Sequence, residues 1–188
     1  MPRLPETVET PRLTLRVWRD ADATALADAI DTSLAHLRPW MPWADQAMTV
    51  AETAEFISDR RAKWEAGGDA IYGVFAAGVV VGGCGLHANV GPDVLEIGYW
   101  VHVDHTRQGY ATELAAALTD AAFTVPGVER VEIHHDRANA ISRRVPERLG
   151  FTFDAERPAG KRAPGEEGPE WIWAVGRSDW MGRRLVES

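Results

Sequence analysis

The stretch from Leu95 to His135 narrows the fold more than any other part of the chain. Leu95, Ile97, Tyr99, Val101 and Val103 alternate with Glu96, Gly98, Trp100 and His102, the two-residue period of a strand. An Ala-rich run from about Tyr110 to Thr124 then places Leu114, Leu118 and Ala121 on one helical face. Pro126-Gly127 ends it, and Val128 to His135 reads as another strand. A β-helix-β unit of this kind needs a sheet with helices packed on it, so the class is α/β or α+β with a mixed sheet. The flanking sequence agrees. Arg12 to Trp18 puts Leu13, Leu15 and Val17 on one face of a first strand. Asp20 is placed to cap a helix carrying Ala23, Ala27, Ile30, Leu34 and Leu37, which Pro39 and Pro42 stop. Thr49-Val50-Ala51-Glu52 has the capping-box pattern and opens a second helix that Gly67-Gly68 ends. Ile71 to Phe75 and Val79 to Leu86 form a hairpin turning near Ala77-Gly78. Ile141, Val145 and Leu149 mark a short helix ended by Gly150, and Trp171 to Val175 is a last strand. From Asp154 to Pro169 the clustered prolines and glycines predict a long surface loop. With no repeat and no dividing linker, residues 1–188 read as one domain.

Composition removes several classes of function. Twenty Lys+Arg against 28 Asp+Glu leave a net charge of −8, the wrong sign for a protein that gains affinity by neutralising nucleic-acid phosphates. Cys84 is the single cysteine, so an intrachain disulfide is impossible, and it reads as a small core residue rather than a nucleophile. His102 and His105, like His134 and His135, lack the partners a metal site needs, and no metal is expected. Charges interrupt any apolar run at the start, and no stretch approaches about 18 apolar residues, so no membrane association is expected and the location reads as cytoplasmic.

Chemistry concentrates where the alternating strand meets the Ala-rich helix, at Thr106-Arg107-Gln108-Gly109-Tyr110-Ala111-Thr112. The free N–H groups of a helix's first turn carry partial positive charge, and Gly109 lets a phosphate approach the backbone. A diphosphate fits there, although a plain helix start with a turn glycine fits the same residues. Neither G-x-G-x-x-G nor G-x-x-x-x-G-K-[ST] is present, so dinucleotide and P-loop chemistry are unsupported.

Three runs together resemble the GNAT superfamily of acyl-CoA-dependent N-acetyltransferases: Glu96-Ile97-Gly98-Tyr99-Trp100-Val101, Arg107 through Glu113, and Asn139 through Phe151. Glu9 through Arg16 and Leu37 through Trp43 narrow the resemblance to the branch that includes the RimJ and RimL ribosomal-protein N-acetyltransferases. The resemblance implies a mixed, mostly antiparallel sheet of about six to seven strands, splayed between its fourth and fifth strands and flanked by about four helices. It implies acetyl-CoA in that opening as cosubstrate. Trp100, Val101 and Val103 would pair with the pantetheine arm, Arg107, Gln108, Gly109, Tyr110, Ala111 and Thr112 would hold the pyrophosphate, and Asn139 would bind the arm as well. Thr106 departs from the family pattern, which usually has Arg or Gln there. The acceptor implied is a primary amine, either a ribosomal-protein or other protein N-terminus or a small molecule, and a homodimer is compatible with the family.

Acetyl transfer needs a base for the amine and an acid for the departing thiolate. Glu96 stands where this branch places its base; read without the resemblance it is a carboxylate at a strand's start. Many family members carry an acid tyrosine at the position of Pro146, and in this branch the role passes to Ser142. Without the resemblance, Asn139 caps the short helix and Ser142 sits in its first turn. Trp40 and Trp43, flanking Met41-Pro42, would wall the acceptor pocket, or pack in the core. The alternatives to an enzyme are a non-catalytic acyl-CoA sensor that kept the cleft and a protein-binding adaptor.

Overall fold

The computed structural model describes residues 3–184, apart from the side chains at 89, 183 and 184. Alternating apolar segments pair into eight strands: β1 Thr7–Glu9, β2 Thr14–Val17, β3 Ala70–Ala76, β4 Val79–Gly91, β5 Val94–Val101, β6 Arg130–Asp136, β7 Thr152–Pro158 and β8 Pro169–Gly176. They lie in one sheet in the order β1-β2-β3-β4-β5-β6-β8-β7. Every pairing is antiparallel except β5 with β6. That exception follows from the connection: α3, Tyr110–Thr124, carries the chain back across the sheet, as a parallel pair requires. The other helices are α1 Ala23–Leu37, α2 Val50–Glu65, α4 Ala140–Leu149 and α5 Arg177–Arg184.

The core forms as two clusters. Leu114, Ala115, Leu118 and Ala122 of α3 pack with Leu15, Tyr72, Leu86, Leu95, Ile97 and Ile133. Leu26 and Ile30 of α1 and Ile57 of α2 pack with Trp18, Phe75 and Val80, against which Trp100 also lies. Alternation along β5 therefore turns Leu95 and Ile97 into the first cluster and Glu96, Gly98 and Trp100 to the other face. The capping box at Thr49 is present, with the Glu52 N–H donating to Thr49 Oγ1 at 3.2 Å and the Thr49 N–H donating to Glu52 Oε2 at 2.8 Å.

The mixed sheet, mostly antiparallel and splayed within the β-helix-β unit, matches the expectation, with particulars that differ. There are two more strands than the clearest alternation shows. β1 is only three residues long, and β7 occupies the first part of the segment read as a loop. A register shift between Phe153 and Ala155 hides its period, while Phe153 edges against Trp171 and Trp173 at 5.2 and 5.6 Å between ring centroids. Because β7 is an edge strand, its Pro158 removes no needed ladder bond. Asp20 does not cap α1. A 3-10 turn, Asp20–Asp22, comes first, and the carboxylate that engages the backbone is Asp22, which accepts from the Arg19 N–H at 2.8 Å and from Arg16. The fifth helix, α5, follows β8 directly.

The splay is what positions the site. β5 and β6 pair only through Val94–Ile97 and Arg130–Ile133. Beyond this, β6 continues on β8 alone, and Gly98 to Val101 keep only β4 as a neighbour. One edge of β5 is left with main-chain groups facing an opening.

Candidate active site

Trp40, Trp43, Glu96, Trp100, Asn139 and Ser142 all line one cleft of about 540 Å³ at the splay. Trp43 is nearly half exposed and meets Trp100 edge to face, 6.2 Å between centroids. The Arg107 to Thr112 stretch lies beyond the end of β5, where Gly109 is the N-cap of α3 at φ 82° and Arg107 also adopts a left-handed φ of 60°. A non-glycine residue held there marks a conformation fixed by its surroundings. Thr112 and Glu113 donate back to the Gly109 carbonyl, both at 3.1 Å. Among the described residues no protein group accepts from the N–H groups of Arg107 to Ala111, so the loop is a concave donor array at a helix N-terminus, suited to a diphosphate.

Val103 sits elsewhere than expected. β5 ends at Val101, and Val103 opens a short 3-10 turn in which its N–H donates to Ser33 Oγ at 3.1 Å and its carbonyl accepts from Thr106 Oγ1 at 3.1 Å. Its N–H is engaged, so it has no backbone donor to offer a ligand. The bond to its carbonyl turns the Thr106 side chain inward.

Glu96 is distinguished by what it lacks. Four other carboxylates are at or beside the cleft, and each is held by donors. Glu170 accepts from Arg157 at 2.6 Å and Arg162 at 3.0 Å, Glu166 from the N–H groups of Arg162 and Ala163, and Asp136 from three backbone N–H groups. Glu132, the register partner of Glu96 across the parallel pair, bonds His134 Nε2 at 2.6 Å and Arg130 Nε at 2.6 Å. Against the burial that would raise it, those bonds hold Glu132 below the usual carboxylate range. Among the described residues Glu96 has only His134 Nδ1, 3.6 Å from Oε1, and its side chain keeps 23% of its exposure. It is the cleft carboxylate that no described donor holds within hydrogen-bond distance.

Ser142 is oriented by α4. Asn139 is the N-cap, and its Oδ1 accepts the Ser142 N–H at 3.1 Å, while among the described residues nothing accepts from its Nδ2. Pro146, inside the helix, lacks the N–H that would bond to the Ser142 carbonyl. The Tyr99 hydroxyl takes that place, 3.3 Å from the Ser142 carbonyl and 3.0 Å from Ser142 Oγ. Burial pushes Tyr99 up to about 12, so its hydroxyl stays protonated, and in its contact with Ser142 Oγ either oxygen can donate. Tyr99, His134 and Glu132 carry no chemistry that motif reading assigned; Tyr99 was signalled only by its place between Glu96 and Trp100. Cys84 is buried in the core with its thiol pushed up by burial, and among the described residues no group of three His, Cys, Asp or Glu is arranged to hold a metal. No described helix is long and apolar enough to cross a membrane.

The fold is shared with known proteins. RimJ of Mycobacterium smegmatis, solved with a CoA-disulfide, superposes with a TM-score of 0.85 at 26% identity, over 97% of this chain and 94% of that one. An acetyltransferase of Salmonella typhimurium that modifies the N-terminal serine of the 50S subunit protein L7/L12 has a TM-score of 0.79, covering 91% and 99% of the two chains; at 20% identity it shows the shared fold. The Bacillus subtilis (strain 168) protein YdaF, provisionally named a ribosomal N-acetyltransferase, is 27% identical over 176 residues, 92% of this chain and 95% of its own. The model of the acetyltransferase (GNAT) domain matches residues 12–152, three quarters of the chain, and the protein belongs to the GNAT acetyltransferase family.

Proposed function

We propose that the protein transfers an acetyl group from acetyl-CoA to a primary amine, a protein N-terminal α-amine or a small-molecule amine, with Glu96 as general base and Ser142 as general acid. The observation that carries this is the pairing, in one cleft, of the carboxylate that no donor holds within hydrogen-bond distance with the Ser142 hydroxyl, which Tyr99 holds at 3.0 Å. The cleft fits the cosubstrate. The unpaired edge of β5 at Trp100 and Val101 and the Asn139 amide suit the polar pantetheine arm, and the donor array from Arg107 to Ala111 suits the diphosphate. RimJ, the relative solved with a CoA-disulfide, supports the same ligand class.

Acetyl-CoA, when bound, supplies a thioester carbonyl and a thiolate leaving group. Glu96 takes a proton from the amine as the N–C bond forms and the C–S bond breaks; Ser142 gives its proton to sulfur, and exchange with solvent resets both. Trp40 and Trp43 wall the acceptor side, and the net charge of −8 favours approach of a cationic amine. A thermal melt with saturating acetyl-CoA tests the site. At about 100 times its dissociation constant the ligand stabilises the fold by about 2.7 kcal/mol, a shift of several degrees, and amine-dependent release of free thiol should follow. No shift would remove the reading, and a shift without thiol release from any peptide or small amine would favour a sensor.

Ser142→Ala should lower kcat by about tenfold to a hundredfold, less than loss of the base, because a thiolate is a weakly basic leaving group that departs with little help. Tyr99→Phe keeps the Ser142 hydroxyl but lets it turn toward its own helix; a loss of about tenfold in kcat with the KM for acetyl-CoA unchanged is expected. Steady-state kinetics of the two variants and their double check both, the double losing no more than Ser142→Ala alone.

A further inference from the structure

We propose that Arg12, which enters from the turn before β2, is a positioning residue for the diphosphate loop: it clamps the loop from behind and neutralises the one acidic side chain in the first turn of α3. The inference rests on the acetyl-CoA reading given above. Arg12 bonds Glu113 twice, through its backbone N–H to Oε1 at 3.0 Å and through Nε to Oε2 at 2.6 Å, and Thr10 Oγ1 donates to Glu113 Oε1 at 2.6 Å. Arg12 Nη1 donates to the Gln108 carbonyl at 3.0 Å, and the guanidinium lies over the Tyr110 ring, 5.0 Å from its centroid. These contacts join segments about a hundred positions apart around an arginine that is half exposed. A lone exposed ion pair adds little to folding. What this cluster does fix is the loop.

The peptide plane shows how. In a trans peptide the carbonyl of Gln108 and the N–H of Gly109 point in opposite directions, so holding the carbonyl against Arg12 turns the Gly109 N–H away, toward the open side. The charge balance works the same way. Glu113 is the acidic residue of the first turn of α3, where an unbalanced carboxylate would repel a diphosphate. Burial alone would raise Glu113, but the Thr10 and Arg12 bonds hold it ionised, and Arg12 cancels its charge. Thr106, whose hydroxyl is bonded to Val103, adds no cation to the loop, so its alignment depends on this clamp.

Arg12→Gln tests it with three donors: acetyl-CoA, acetyl-dephospho-CoA, which keeps the diphosphate, and acetyl-pantetheine, which lacks it. Relative to acetyl-pantetheine, kcat/KM for the two diphosphate donors should fall about tenfold, through KM, with the melting temperature near that of the wild type. A variant that merely loosens the fold lowers all three together and leaves the ratio alone, which would overturn the proposal. A loss seen with acetyl-CoA but absent with acetyl-dephospho-CoA would place Arg12 on the 3′-phosphate instead and overturn it too. Wild type that does not prefer acetyl-CoA to acetyl-pantetheine would remove the diphosphate site itself, and the clamp with it. Thr10→Val, which deletes one bond to Glu113 and no charge, should move the same ratio in smaller measure, and it carries the test should Arg12→Gln fail to fold.

Discussion

Glu96→Gln should lower kcat by about 10²- to 10⁴-fold while the protein still folds and still melts higher in acetyl-CoA. The glutamine has the same shape and keeps the contact to His134, so the substitution removes proton acceptance and little else. No other carboxylate of the cleft can take over, because Asp136, Glu166 and Glu170 are already held by backbone N–H groups or by arginines. The residual rate should rise with pH toward the pKa of an α-amine, near 8, since only amine that is already neutral then reacts. Thiol release measured from pH 6 to 9 for both proteins checks this. A variant that keeps more than about a tenth of the wild-type rate would move the base to a water molecule or to His134.

Much of this arrangement was readable in the sequence, and the residues show why the rest was not. The period of β5, the Ala-rich α3 and the break at Pro126-Gly127 are local signals, and they located the β-helix-β unit, while the splay within it was implied by the family resemblance. The motif runs brought Glu96, Asn139, Ser142, Trp40 and Trp43 into consideration, and all five line one cleft. β7 escaped because its pairing is fixed by Trp171 and Trp173 across the ladder rather than by its own alternation, which the register shift at Phe153 and Ala155 interrupts. Val103 continued the period of β5 on paper, but the chain turns at His102, and Ser33 of α1 takes its N–H. Tyr99, Arg12 and His134 owe their places to partners 43, 101 and 38 positions away, at Ser142, Glu113 and Glu96, which no local pattern reports. Asp136 is of the same kind, a polar residue at the end of a strand whose three partners lie on two loops.

Asp136→Ala should destabilise the fold by about 3–5 kcal/mol, the largest effect expected of a single polar substitution near the cleft. The buried carboxylate accepts the N–H groups of Ala138 at 2.9 Å, Glu167 at 3.1 Å and Gly168 at 2.8 Å, so one side chain ties the end of β6 to the start of α4 and to the 159–168 loop. Alanine leaves all three donors without that acceptor. The consequence reaches the proposed acceptor wall, because the same loop holds the Trp40 segment through the Gly165 N–H donating to the Pro39 carbonyl at 2.9 Å. The KM of the amine should therefore rise more than that of acetyl-CoA. Burial alone would raise Asp136, but the three N–H bonds and Arg137 hold it below its usual value. A group lowered in the folded state contributes fully above its unfolded pKa, near 4, and loses that contribution as the pH falls through the folded value. The gap in stability between wild type and Asp136→Ala should thus be widest near pH 7 and close as the solution is acidified toward pH 3. Urea titrations at a series of pH values would show it, and a gap that stayed constant would mean that the carboxylate acts through its shape rather than its charge.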